Sequence, residues 1–186
     1  MIPIYIANII KTNGDIISIK NIEKIIIKTN ELKIPFLIDE AYFEFIQKSA
    51  AILVNEYVNI LITRTFSKAF ALAGFRIGYL ISNDRNINIL KKIRNAKNTS
   101  TLSQIAAEAA LDSLEYTNQF VRNVAEAREE FIKGLRTYPL IHPYESSANF
   151  VFIRAIDYKI KHELITFLEN RNIFVRDYGH VKGTEG

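Results

Sequence analysis

The sequence predicts an α/β fold: a mainly parallel sheet covered by helices, then a long connecting helix and a smaller α+β unit. Three observations predict it. Short β-branched and aromatic runs alternate with helical periodicity over roughly the first hundred residues. Two of those runs, 34–40 and 59–66, are continuous apolar stretches ending in polar side chains, the pattern of strands buried on both faces. Beyond residue 113 a long helical repeat takes over. The expected division is therefore 1–113 for the sheet domain, in part, and 114–186 for the long helix and a partial small domain.

"IPIYIAN" near the start reads as a strand. "SIKNIEKIIIKTN" (18–30) places Ile19, Ile22 and Ile26 at helical spacing behind Ser18, a residue type that caps helices through its side-chain oxygen. "IPFLIDE" (34–40) is a buried-type strand closed by Asp39 and Glu40, and "NILITRTF" (59–66) is another. "FRIGYLIS" (75–82) reads as a further strand, followed by a helix over about 84–97 with Ile87, Leu90 and Ile93 on one face. "TLSQ" (101–104) has the form of a capping box, with Thr101 as cap and Gln104 three residues on. Next, Tyr116, Phe120, Val124, Ala127, Phe131 and Leu135 form one apolar stripe on a helix that Tyr138-Pro139 terminates. A strand over 149–156, a helix over 161–171 and a strand over 172–177 complete the reading.

Composition narrows the function classes. The chain has 186 residues, 48% of them hydrophobic and 24% charged, with a net charge of +4. Basic residues are interspersed with acidic ones, which speaks against a nucleic-acid surface and suits a small anionic ligand. Cysteine is absent, which removes thiol nucleophiles, disulfides and cysteine metal sites and is compatible with a reducing cytoplasm. The apolar start "MIPIYIANII" is too short to span a membrane. His142, His162 and His180 lack metal-ligand spacing, so no metal site is expected.

Chemistry concentrates at the strand ends, where open α/β sheets collect ligands. Asp39 closes one strand; Thr65, Ser67 and Lys68 close another; Tyr42 lies three residues past Asp39, and Arg76 eight past Lys68. An amine, a carboxylate, a phenol, two hydroxyls and a guanidinium facing one crevice are the groups pyridoxal phosphate requires. The carboxylate keeps the pyridine nitrogen protonated, a partly desolvated lysine forms the imine, and arginine grips phosphate bidentately.

"DEAYFEF" (39–45) and "TFSKAFALAGFRIGY" (65–79) closely resemble motifs of the histidinol-phosphate aminotransferases, within the fold-type-I class I/II aminotransferases. "SSANFVFIR" (146–154) and "NIFVRDYG" (172–179) are similar to that family's small domain. The resemblance implies a fold-type-I major domain with pyridoxal 5'-phosphate on Lys68 as a Schiff base, Asp39 on the ring nitrogen and Tyr42 on the ring hydroxyl. It implies Thr65, Ser67 and Arg76 on the phosphate, and Arg176 as one of two arginines holding the anionic end of the substrate. The implied reaction moves an amino group between glutamate and imidazole acetol phosphate in histidine biosynthesis, in a cytoplasmic homodimer. Two alternatives remain: an enzyme similar to threonine-phosphate decarboxylase, against which Tyr42 and Glu44 speak, or a non-catalytic remnant.

Three departures accompany the resemblance. The chain is about half the length the family needs, so the glycine-containing phosphate loop is expected to lie outside it. "NIIKTNG" (8–14) stands where the family has Asn-Pro-x-Asn-Pro-Thr-Gly: Asn8 and Gly14 match, but Lys11 replaces the inner asparagine. The second substrate arginine is expected beyond Gly186.

Overall fold

The computed structural model describes residues 3–7, 16–95 and 99–179. Asn8, Lys11, Gly14, His180 and the last residues of the expected 84–97 helix lie outside them.

Four strands form the main sheet in the order β1-β2-β3-β4: β1 (Ile4–Ala7), β2 (Phe36–Asp39), β3 (Ile60–Thr65) and β4 (Gly78–Ile81). The first three are parallel and β4 is antiparallel to β3. The mainly parallel α/β sheet is thus present, with an antiparallel edge. The register pairs Ile38 with Ile62 and Asp39 with Thr63. Because side chains alternate across a strand, Phe36, Ile38, Ile60 and Ile62 share one face, and all four are fully buried. Helix α1 (Ile19–Glu31) lays Ile22 and Ile26 on that face beside a 3₁₀ turn at Ala50–Leu53. Ser18 caps α1 as expected, its side chain accepting from the Asn21 amide. Leu37, Leu61 and Thr63 on the opposite face are only half-buried. Burial on both faces, expected from the unbroken apolar runs, is therefore not reached among the described residues.

The expected strand over 75–82 begins only at Gly78, because Ala73–Phe75 forms a 3₁₀ turn and Arg76 takes the left-handed conformation at φ 50°. Gly78 is required where β4 meets β3: a Cβ there would stand 2.6 Å from the Arg64 carbonyl oxygen. The single-turn helix α2 (Phe43–Ile46) follows β2, and helix α3 (Asp84–Ile93), which follows β4, is capped by Asn83. Beyond it α4 (Thr101–Asp112) and α5 (Leu114–Leu135) are separate helices, broken at Ser113. The cap of α4 is Ser100 rather than Thr101; its oxygen accepts from the Ser103 amide, while the Gln104 side chain reaches the Thr99 carbonyl. Both residues are cap formers, and the one-residue shift lets Ser103 turn inward and donate to the Phe75 carbonyl at 2.7 Å.

The apolar stripe expected on α5 is not its packed face. Tyr116 is 79% and Phe131 53% exposed, whereas Thr117, Val121 and Ile132 are buried. The neighbours of α5 select the second row: Arg128, on the same side, donates to the Ala148 carbonyl. A two-stranded antiparallel ribbon, β5 (Ile141–Pro143) and β6 (Ile153–Ala155), follows, then α6 (Tyr158–Glu169), which starts three residues earlier than expected on an Asp157 cap. Strand 149–156 shrinks to β6, and 172–177 is not a strand but an exposed irregular segment that starts with Asn172 in the left-handed conformation at φ 58°. No helix among the described residues is long and apolar enough to cross a membrane.

Candidate functional site

Beyond the last hydrophobic row of the sheet, the two central strands change character. Glu40 and Arg64 follow Ile38 and Ile62 on the core face, and the ladder continues through the Glu40 amide to the Thr63 carbonyl at 2.8 Å. Glu40 is 1% exposed. Its Oε1 accepts from the Ala50 amide at 2.7 Å. Its Oε2 accepts from Ser49 Oγ at 2.7 Å and from Arg64 Nε and Nη2 at 3.1 and 2.9 Å. The Arg64 guanidinium also lies 3.4 Å above the Phe43 ring. Glu44 lies beside this pair with one carboxylate oxygen that finds no hydrogen-bond partner among the described residues. Desolvation raises its pKa, against the lowering effects of a backbone hydrogen bond and of Arg64, and Glu40 raises it further.

The opposite face carries the residues singled out for chemistry. Asp39 ends β2 with Oδ2 accepting from the Tyr5 hydroxyl at 2.7 Å and Oδ1 from the Ala41 amide at 3.0 Å. Thr65 ends β3; its Oγ accepts from the Ser67 amide at 3.1 Å and shapes the turn toward Lys68. Tyr42 stands at the head of the short helix α2 (Phe43–Ile46), with its ring edge-on to Phe150 at 5.8 Å. The Lys68 amine lies 5.4 Å from the centre of the Tyr42 ring. Both line a cleft of about 550 Å³ that Asn149, Phe152 and Arg176 also line. Arg176 is exposed and sits 5.4 Å from the Tyr178 ring. The segment bearing it is tied to α6 through Lys161 and Asp177 at 3.4 Å.

The structure therefore gathers Lys68, Tyr42 and Arg176 in one cleft, but Asp39, Thr65, Ser67 and Arg76 do not line it. For Asp39 and Arg76 the bonds they make point elsewhere. Asp39 is turned toward β1 by Tyr5, and Arg76 folds back from its left-handed turn so that Nη1 donates to the Ala73 carbonyl. Asp39, Thr63 and Thr65 still share one face of two adjacent strands at their carboxyl ends, as the register dictates. Sequence reasoning missed Tyr5, Arg64, Ser49 and Ser103. Tyr5 and Arg64 sit inside strand-type runs where alternation alone gives no chemical signal, and the contacts of Ser49 with Glu40 and Arg64 and of Ser103 with Phe75 join segments that residue spacing does not relate. Among the described residues no group of three His, Asp or Glu side chains could hold a metal ion. The donor set fits pyridoxal phosphate in kind: an amine beside a phenol, a carboxylate at the neighbouring strand end, and hydroxyls in the turn between.

The sequence profile of the family "Aminotransferase class I and II" matches residues 3–184. A dihydroxyacetone phosphate transaminase of Campylobacter jejuni is 44% identical over 96% of this chain and 48% of its own length. A histidinol-phosphate aminotransferase of a Thermoanaerobacter species is 33% identical over 98% of this chain and 50% of its own. The crystal structure of histidinol-phosphate aminotransferase from Sinorhizobium meliloti, in complex with pyridoxal-5'-phosphate, superposes with a TM-score of 0.80. It is 26% identical, covering 92% of this chain and 48% of that one. The chain spans about half the length of these relatives. It belongs to the class I and II aminotransferase family.

Proposed function

We propose that this chain carries the lysine-bearing part of a pyridoxal-phosphate-dependent aminotransferase acting on a small phosphorylated ketone. The observation that carries the reading is the placement of the Lys68 amine 5.4 Å from the Tyr42 ring centre, in a cleft that Arg176 also lines. When bound, the cofactor supplies an electron sink for the carbon that loses or gains the amino group. Lys68 is the residue that holds it covalently and moves a proton at its Nζ. Asp39 offers its carboxylate to the ring nitrogen, and Tyr42 its hydroxyl to the ring oxygen. Thr65, Ser67 and Arg76 offer hydroxyls and a guanidinium to the phosphate, and Arg176 binds the anionic end of the substrate.

The substrate class follows from what the named relatives share. Dihydroxyacetone phosphate and imidazole acetol phosphate are both ketones one carbon removed from a phosphate monoester, differing only in the group on the other side. We therefore assign a phosphorylated acetol skeleton as acceptor and glutamate as donor, with histidinol phosphate as the specific product to test first. Purified chain incubated with pyridoxal phosphate and borohydride is expected to retain the label on the peptide containing Lys68, and Lys68→Ala to lose it. Labelling spread over the exposed lysines in both proteins overturns the reading. Release of 2-oxoglutarate from glutamate with each ketone in turn then ranks the acceptors.

A further inference from the structure

We propose that Glu40 and Arg64 are positioning residues: their buried pair fixes the approach of the Tyr42 ring to the Lys68 amine. The inference rests on the reading of Lys68 as the cofactor-bearing amine, but the geometry it concerns exists in the chain by itself.

The pair occupies the row of the sheet directly above Ile38 and Ile62, where continued apolar packing would suffice for stability. A buried ion pair is weak evidence for stability, because desolvation offsets most of the attraction. What the pair adds over isoleucine is direction. A planar guanidinium donating through Nε and Nη2 to one carboxylate oxygen, while Nη2 also reaches Ser49 Oγ at 2.8 Å, holds both strand ends in one mutual orientation. The chain leaves that clamp toward the site on both sides. Tyr42 follows Glu40 by two residues, and the Phe43 amide returns to the Glu40 carbonyl at 3.0 Å. Phe43 in turn packs under the Arg64 guanidinium, so Arg64 touches the residue adjacent to Tyr42. Lys68 follows Arg64 by four residues, through the turn that Thr65 and Ser67 close. A rotation of either strand end would therefore swing one partner of the Tyr42–Lys68 contact and leave the other in place.

The test uses Glu40→Leu/Arg64→Met, which keeps side-chain bulk and removes the directional bonds. The first readout needs no cofactor: the ring-current shift of the Lys68 side-chain protons by NMR, identified by its loss in Tyr42→Leu. In the folded double variant that shift is expected to fall at least twofold. The second is selective borohydride trapping of pyridoxal phosphate at Lys68, expected to fall at least tenfold relative to an exposed lysine such as Lys28. A variant that matches the parent in both readouts overturns the positioning role. A parent that shows the ring-current shift without selective trapping overturns the cofactor reading alone, and the positioning role then stands or falls on the NMR shift. Where the double variant does not fold, Arg64→Lys, which keeps the ion pair but removes the planar fork that gives it direction, is read in the same two ways.

Discussion

Removing one member of the Glu40–Arg64 pair is expected to destabilise the fold by about 3–5 kcal/mol, whereas replacing both with apolar residues costs far less. Glu40 has a fully buried side chain that accepts four hydrogen bonds, and the Arg64 side chain is 11% exposed. Glu40→Leu leaves the guanidinium in the interior with Ser49, the Phe43 ring and the neighbouring Glu44 carboxyl, and it orphans the Ala50 amide. Arg64→Met leaves a buried carboxylate with only Ser49 and that amide. In Glu40→Leu/Arg64→Met neither charge remains, and the surviving cost is chiefly the buried Ala50 amide left without an acceptor, about 1–3 kcal/mol, since the half-buried Ser49 hydroxyl can turn to another partner. The double variant should therefore sit about 1–3 kcal/mol below the parent, well short of the sum of the two single losses. Urea unfolding followed by far-ultraviolet circular dichroism measures all four proteins, and moderate salt should change little because a buried pair is poorly screened. Single losses within about 1 kcal/mol, the scale of an exposed pair such as Lys28–Glu31, would refute the reasoning. Strict additivity of the two single losses would refute it as well.

Glu44 supplies a pH test. Its proton is held to higher pH in the folded chain than in the unfolded one. The stability it contributes is therefore fully present below the ordinary carboxylate range and is lost as pH rises through the raised folded value. Denaturation across that window should show the slope in the parent, and Glu44→Gln should flatten it and be relatively more stable at its alkaline end. Gly78→Ala should lower the unfolding midpoint, because its Cβ would collide with the backbone of β3 and neither strand can yield without breaking ladder bonds. Ser100→Ala should cost about 1 kcal/mol by loss of the α4 cap, and Thr101→Ala much less; the reverse order would restore Thr101 as the cap. Ile62→Ala should cost roughly 2–5 kcal/mol, measured by the same urea unfolding, since the side chain is wholly enclosed.

Where local pattern and tertiary environment agree, the sequence was readable. Helix α1, its Ser18 cap and strands β2 and β3 stand where periodicity puts them, because one sharply apolar face had one place to go. The long helix shows the limit. Two rows on α5 satisfy helical spacing, and only its neighbours select the row of Thr117, Val121 and Ile132. Residues 172–177 have strand-like composition, yet strand structure needs a partner edge, and among the described residues none pairs with them. At the site, Lys68, Tyr42 and Arg176 were identifiable as residues, but their meeting was not, since more than a hundred residues separate Lys68 from Arg176.

By itself, then, the sequence determined which residue types close the central strands and in what order, because strand alternation and turn chemistry act over a few neighbouring residues. Tertiary structure alone decided that Asp39 leans toward Tyr5, that Arg76 folds back on its own turn, and that a buried acid and guanidinium lock the strand ends beneath Tyr42 and Lys68. Those outcomes depend on the direction of hydrogen bonds between distant segments, and direction in space is a quantity that residue spacing does not encode.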